Sequence, residues 1–71
     1  MMKYKGYVGS VAYDDEAEIF NGSVLGIKDV ITFQGHSVDE IKQAFKDSVN
    51  GYLYFCRERG EKPDKPYSGK F

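Results

Sequence analysis

The densest cluster of reactive side chains in this sequence is the acidic run Asp14-Asp15-Glu16-Ala17-Glu18. Carboxylates packed this closely could hold a divalent cation, a hard ion that prefers oxygen ligands. The run lacks the Asp-x-Asp-x-Asp-Gly spacing of a calcium loop, however, and no distant carboxylate is clearly paired with it. It reads as the solvated tip of a hairpin. His36, the sole histidine, could serve as an acid or base, but no serine or cysteine stands at a recognisable nucleophile spacing. It reads as a loop residue between Gly35 and a helix cap. Cys56 falls on an apolar helical stripe and reads as a small core residue, not a nucleophile. Zinc would need more Cys and His than the chain contains. Glycines 22, 26 and 35 do not make a phosphate loop. Tyrosines and phenylalanines of the first strands could stack on single-stranded bases, yet Lys3 and Lys5 are the only basic residues among the first 27. No catalytic residue, metal site or cofactor is expected.

The elements that position these groups follow from periodicity. Residues 4–13, rich in Tyr, Val and Gly, read as one strand. The acidic run is a hairpin connection to a second strand over 19–25, in which Phe20 and Val24 share a face. Gly22 lies between them, where a ring or backbone can approach closely. A turn at 26–29 leads to a third strand at Val30-Ile31-Thr32-Phe33-Gln34. Ser37-Val38-Asp39-Glu40 is a capping box: the serine side chain accepts from the Glu40 N–H, and the glutamate reaches back to the serine N–H. Behind it Val38, Ile41, Phe45, Val49, Tyr52, Leu53 and Cys56 form one stripe about 120° wide. Gly60 suits the left-handed position after the helix. A helix of about 22 residues is roughly 33 Å long, longer than strands of five to eight residues, so its end around Tyr54, Phe55 and Cys56 should overhang the sheet. Beside the stripe, Ala44, Ser48, Gly51 and Phe55 form a flank where a second backbone could come close, a candidate for self-association. The two-proline segment 61–66 is neither helix nor central strand, and residues 67–71 look like the opening of another strand.

Composition bounds the class. Seventy-one residues make one domain with a modest core. Eleven aromatics (six Tyr, five Phe) exclude a disordered tail. Ten Lys/Arg against eleven Asp/Glu give a net charge of −1, so there is no global basic field to hold nucleic acid. One cysteine excludes a disulfide scaffold and fits a reducing cytosol. No signal peptide is visible, and no apolar run approaches the roughly 20 residues needed to span a bilayer. A cytoplasmic protein with no membrane partner is expected.

Several stretches narrow the field: Tyr4-Lys5-Gly6-Tyr7-Val8-Gly9-Ser10, Phe20-Asn21-Gly22-Ser23-Val24, Asp29-Val30-Ile31-Thr32-Phe33, Ala44-Phe45-Lys46-Asp47-Ser48-Val49, Tyr52-Leu53, Phe55-Cys56 and Lys65-Pro66-Tyr67-Ser68-Gly69-Lys70-Phe71. In order and spacing they closely resemble the N-terminal domain of the HicB family of antitoxins, from bacterial type II toxin–antitoxin systems. The likeness covers essentially the whole chain.

The resemblance implies an α+β fold: a three-stranded antiparallel sheet in β-β-β-α order, partial ribonuclease-H-like, with one long helix on one face and a C-terminal extended segment. It implies a HicA-like toxin as partner, a small mRNA-cleaving ribonuclease of double-stranded-RNA-binding fold, which the domain neutralises. Relatives often add a C-terminal ribbon-helix-helix domain that represses the operon. Here nothing follows Phe71, so DNA is expected to be bound only through a domain missing from this chain. An RNA-holding toxin surface should be basic, and Asp14, Asp15, Glu16, Asp39 and Glu40 could complement it; the outer face of the sheet and the hairpin are the candidate contacts. A homo-oligomer, dimer or higher, is expected through the helix flank or an open sheet edge. Two other readings stay open: a nucleic-acid-binding regulator of its own operon, and a vestigial nuclease.

Overall fold

The segment expected to be a single strand at 4–13 is folded in two. The computed structural model describes residues 2–63. In it β1 (Met2–Tyr4) and β2 (Tyr7–Asp14) pair antiparallel, with Tyr4 opposite Tyr7. The two residues between them, Lys5 at φ 53° and Gly6 at φ 84°, both take the left-handed backbone that a two-residue type I′ hairpin requires. The sheet therefore has four strands, not three. The extra strand escaped the sequence reading because lysine seldom adopts that backbone and because Gly6 looked like an interruption within one strand.

Next come β3 (Ile19–Val24) and β4 (Thr32–Gly35), each antiparallel to its neighbour, giving the sheet order β1-β2-β3-β4. Helix α1 (Val38–Glu58) covers one face. The α+β class, the antiparallel sheet and the single long helix stand as expected. Strand β4 starts two residues later than expected, and Val30 is 90% exposed. Residues 25–31 form a long connection, not a four-residue turn, and its Ile27 and Ile31 pack against the core. The expectation for residues 67–71, and for the proline segment past Pro63, lies outside the described residues.

The core is a layer between helix and sheet. Tyr7, Val24 and Phe33 of the strands meet Ile41, Phe45, Val49, Tyr52 and Cys56 of the helix. Cys56 is 3% exposed and sits in this cluster, as its place on the stripe suggested. Leu53 packs against the cluster from the side. Val38 does not join it: the first helical residue lies past the covered part of the sheet and is 55% exposed. The overhang is half realised, since Tyr54 and Phe55 are exposed but Cys56 is buried.

Close approach depends on absent side chains. At Gly22 an added Cβ would stand 2.6 Å from the Phe33 ring tip and 2.9 Å from the Ser10 carbonyl, so the ring lies flat across this position. At Gly35 an added Cβ would meet the Ile41 backbone nitrogen at 2.6 Å and the Glu40 carbonyl carbon at 2.9 Å. These are main-chain atoms and cannot swing aside. Gly35→Ala should therefore lift the start of the helix from β4 and lower stability by about 1–3 kcal/mol, read by urea titration of the helical circular-dichroism signal. An unchanged midpoint would mean that the helix start does not rest on this glycine.

The far end of the helix closes as its glycine suggested. Gly60, at φ 69°, donates to the Arg57 carbonyl at 3.1 Å, and the Glu61 N–H donates to the Cys56 carbonyl at 2.8 Å. This pair is the Schellman arrangement, which satisfies two orphan carbonyls of the last turn.

Candidate partner-binding surface

Strand pairing brings two separate acidic segments to one end of the molecule. Asp14 pairs with Ile19 at the end of the β2–β3 ladder, and Phe20 pairs with Gly35, after which the chain turns into the helix. The hairpin tip 15–18 and the helix start at 37–40 thus leave the sheet at the same end. The helix then runs back, so that its Tyr52 ring meets Tyr7 at the opposite end, edge to face with centroids 6.1 Å apart.

Each acidic residue has a local role or none. The Asp14 carboxylate accepts hydrogen bonds from the Glu16 N–H at 3.0 Å and the Ala17 N–H at 3.2 Å, fixing the turn as an Asx turn. Asp15, Glu16 and Glu18 are exposed, and Glu18 has φ 55°. At the helix start the Ser37 hydroxyl accepts from the Glu40 N–H at 3.1 Å, as expected. The Glu40 carboxylate differs from expectation: it accepts from the His36 N–H at 2.8 Å, one residue beyond the serine. His36 Nδ1 lies 3.6 Å from the same carboxylate oxygen, with both side chains largely in solvent. Asp39 is exposed in the first turn, where negative charge suits the helix dipole. Ser37→Ala should cost about 1 kcal/mol of stability through the lost cap, measurable as a lowered thermal midpoint.

This end is acidic but for Lys42, which borders it in a groove with Phe20 and Val38. Residues 6–27 and 29–41, which carry all six of its carboxylates, contain no lysine or arginine. Among the described residues no group of His, Cys, Asp and Glu is arranged to hold a metal ion. The carboxylates are spread over an exposed surface, an arrangement suited to meeting a basic macromolecule.

The face of the sheet away from the helix carries Val8, Ser10, Asn21, Ser23, Thr32 and Gln34 by alternation from the buried positions. It is small and mostly polar, with Gln34 donating to the Asn21 side-chain carbonyl at 2.9 Å. The helix flank is divided in exposure: Ala44 and Ser48 are half-buried, whereas Gly51 and Phe55 are exposed. It lies on the β4 side of the helix. The opposite flank, with Lys42, Lys46, Asn50 and Leu53, lines grooves shared with Met2, Lys3 and Lys5 of the β1 side.

That β1-side flank went unnoticed in the sequence. An open groove of about 330 Å³ is lined by Met2, Lys3, Lys42, Phe45 and Lys46. Beside it the Asn50 side-chain carbonyl accepts from the Tyr4 hydroxyl at 3.2 Å and from Lys5 Nζ at 3.0 Å. The Lys42/Lys46 spacing of four was the local signal available; its union with Lys3 is a product of tertiary packing.

Among the described residues no helix is long and apolar enough to cross a membrane. No curated protein and no solved structure matches the chain. A model of the HicB family matches residues 52–71, from Tyr52 in the last turns of the helix to the end of the sequence. The matched segment includes three of the stretches that carry the resemblance to that family, Tyr52-Leu53, Phe55-Cys56 and Lys65-Pro66-Tyr67-Ser68-Gly69-Lys70-Phe71.

Proposed function

We propose that this chain is the toxin-binding domain of an antitoxin, and that it neutralises a HicA-type mRNA-cleaving toxin by covering the toxin's RNA-holding surface. The family match supports an antitoxin-type role. The observation that carries the rest is the convergence of Asp14, Asp15, Glu16, Asp39 and Glu40 at one end with no lysine or arginine in either segment. A surface that binds RNA must be basic, so an acidic end competes for it with the same electrostatics. The chain acts by binding and does no chemistry of its own. A partial ribonuclease-H-like fold, which the resemblance implies, is compatible with a meander backed by one helix, and such a fold need not carry an active site. The antitoxin also self-associates.

Co-elution tests the pairing. The purified chain, mixed at micromolar concentration with a HicA-like toxin from its own gene neighbourhood, should leave a sizing column as one complex. Two separate peaks at that concentration would overturn the assignment.

A further inference from the structure

The net charge of −1 hides a sorting of the cations. Of the ten Lys and Arg residues, five line two neighbouring grooves on the β1-side flank: Lys3, Lys42 and Lys46 the first, Lys5 and Arg57 the second. All five are exposed. Among the described residues no carboxylate lines either groove. The ion pairs among the described residues, His36–Glu40 and Arg59–Glu61, use none of the five. Their charge faces solvent and is not neutralised by a described carboxylate.

The helix sets the spacing. At 100° per residue Lys42, Lys46, Asn50 and Arg57 fall within about 80° of one another, and from Lys42 to Arg57 the row is about 22 Å long. Strand β1 and its turn add Lys3 and Lys5 beside it. The Asn50 side-chain carbonyl accepts from Lys5 Nζ at 3.0 Å, which ties that turn to the helix. Asp39, in the first helical turn, marks where the row ends and the acidic end begins.

Two tyrosines are set into the row. Lys5 Nζ and Lys46 Nζ lie 5.4 Å and 5.9 Å from the Tyr4 ring centroid, and the Arg57 guanidinium lies 6.0 Å from that of Tyr54. Tyr54 is 58% exposed, so much of its ring is open to a stacking partner.

We infer that this flank holds a single nucleic-acid strand, with its phosphates against Lys3, Lys5, Lys42, Lys46 and Arg57 and a base stacked on Tyr54. A row of cations without carboxylates matches a backbone of phosphates. An exposed ring among those cations accepts any base, since every base has a flat face. A duplex keeps its base faces inside the stack, and an acidic peptide would use the cations and leave Tyr54 idle. The six carboxylates of the acidic end do not oppose a strand on this row, because they gather beyond its head and salt screens exposed charges within about 8 Å. The inference uses a different surface from toxin binding and does not depend on it.

Fluorescence anisotropy of a labelled strand of about ten nucleotides, mixed with the full chain across a salt series, tests the site. RNA and DNA strands of one sequence should both bind at low salt, because the contacts are to phosphates and base faces. The logarithm of affinity should fall against that of salt with a slope of about −3.5, from five phosphates at about 0.7 each. Lys42→Glu with Lys46→Glu should weaken binding at least about tenfold and reduce the slope to about −2. Arg59→Glu with Lys62→Glu makes the same change of charge off the row and should weaken it far less. No binding at low salt, or equal weakening by the two pairs, would overturn the site. Tyr54→Ala should weaken binding about fivefold or more with the slope kept. Unchanged affinity in that variant, or equal competition by polyglutamate or by a duplex of the same length, would overturn the single strand as the occupant. The helical circular-dichroism signal of each variant shows that it is folded.

Discussion

Phe45→Ala should remove about half of the stability of the chain, roughly 3–5 kcal/mol. Phe45 is 2% exposed, with its ring 5.3 Å from that of Phe33 and lying over Gly9. It ties the centre of the helix to β2 and β4 at once. Removing a buried phenylalanine costs about 3–5 kcal/mol, because the transfer energy is lost and the cavity does not fully collapse. A domain of this size has about 4–10 kcal/mol in total, so the change takes about half of it. Urea titration followed by tyrosine fluorescence measures the loss. Phe55→Ala gives the contrast: its ring is half exposed, and the cost should stay below about 1 kcal/mol. Equal effects at the two sites would mean that the helix does not dock by its 41/45/49/52/56 face.

The second large effect concerns association. Reversing charge in Asp15→Lys, Glu16→Lys and Asp39→Lys together should slow binding to a basic toxin by about two orders of magnitude at low salt. Asp14 and Glu40 are left out because their carboxylates hold the turn and the helix start. The difference should shrink as ionic strength rises, since exposed charges are screened within about 8 Å at physiological salt. Reversals at the other end of the helix, Arg57→Glu and Lys62→Glu, should change the rate little. Stopped-flow measurement across a salt series separates the two sets. Equal slowing by both would move the contact away from the acidic end.

The helix was legible because its signals are local and mutually consistent. A cap, a long apolar period and a terminal glycine all point to the same boundaries, and Ser37, Val38–Glu58 and Gly60 follow them. The close approach at Gly22 was also readable from a glycine flanked by two residues of one strand face. What escaped were features decided by tertiary fit. Lys5 in a left-handed turn runs against its own preference, and only pairing of Met2–Tyr4 with β2 makes it worthwhile. Val30 and Ile31 have strand chemistry, yet the connection before β4 is long because Ile27 and Ile31 are drawn onto the core. For the candidate site, the residue types were legible, and their meeting at one end was not. The hairpin tip and the helix start are separated by eighteen residues, and only the β3–β4 register makes them neighbours.

Titrating the chain into a toxin-catalysed RNA cleavage reaction tests the central claim most directly. Cleavage of a labelled RNA should fall linearly and stop near one domain per toxin, and the triple charge reversal should shift that curve to much higher concentrations at low salt. Full cleavage in the presence of a several-fold excess of the chain, at concentrations where it is folded, would contradict the account.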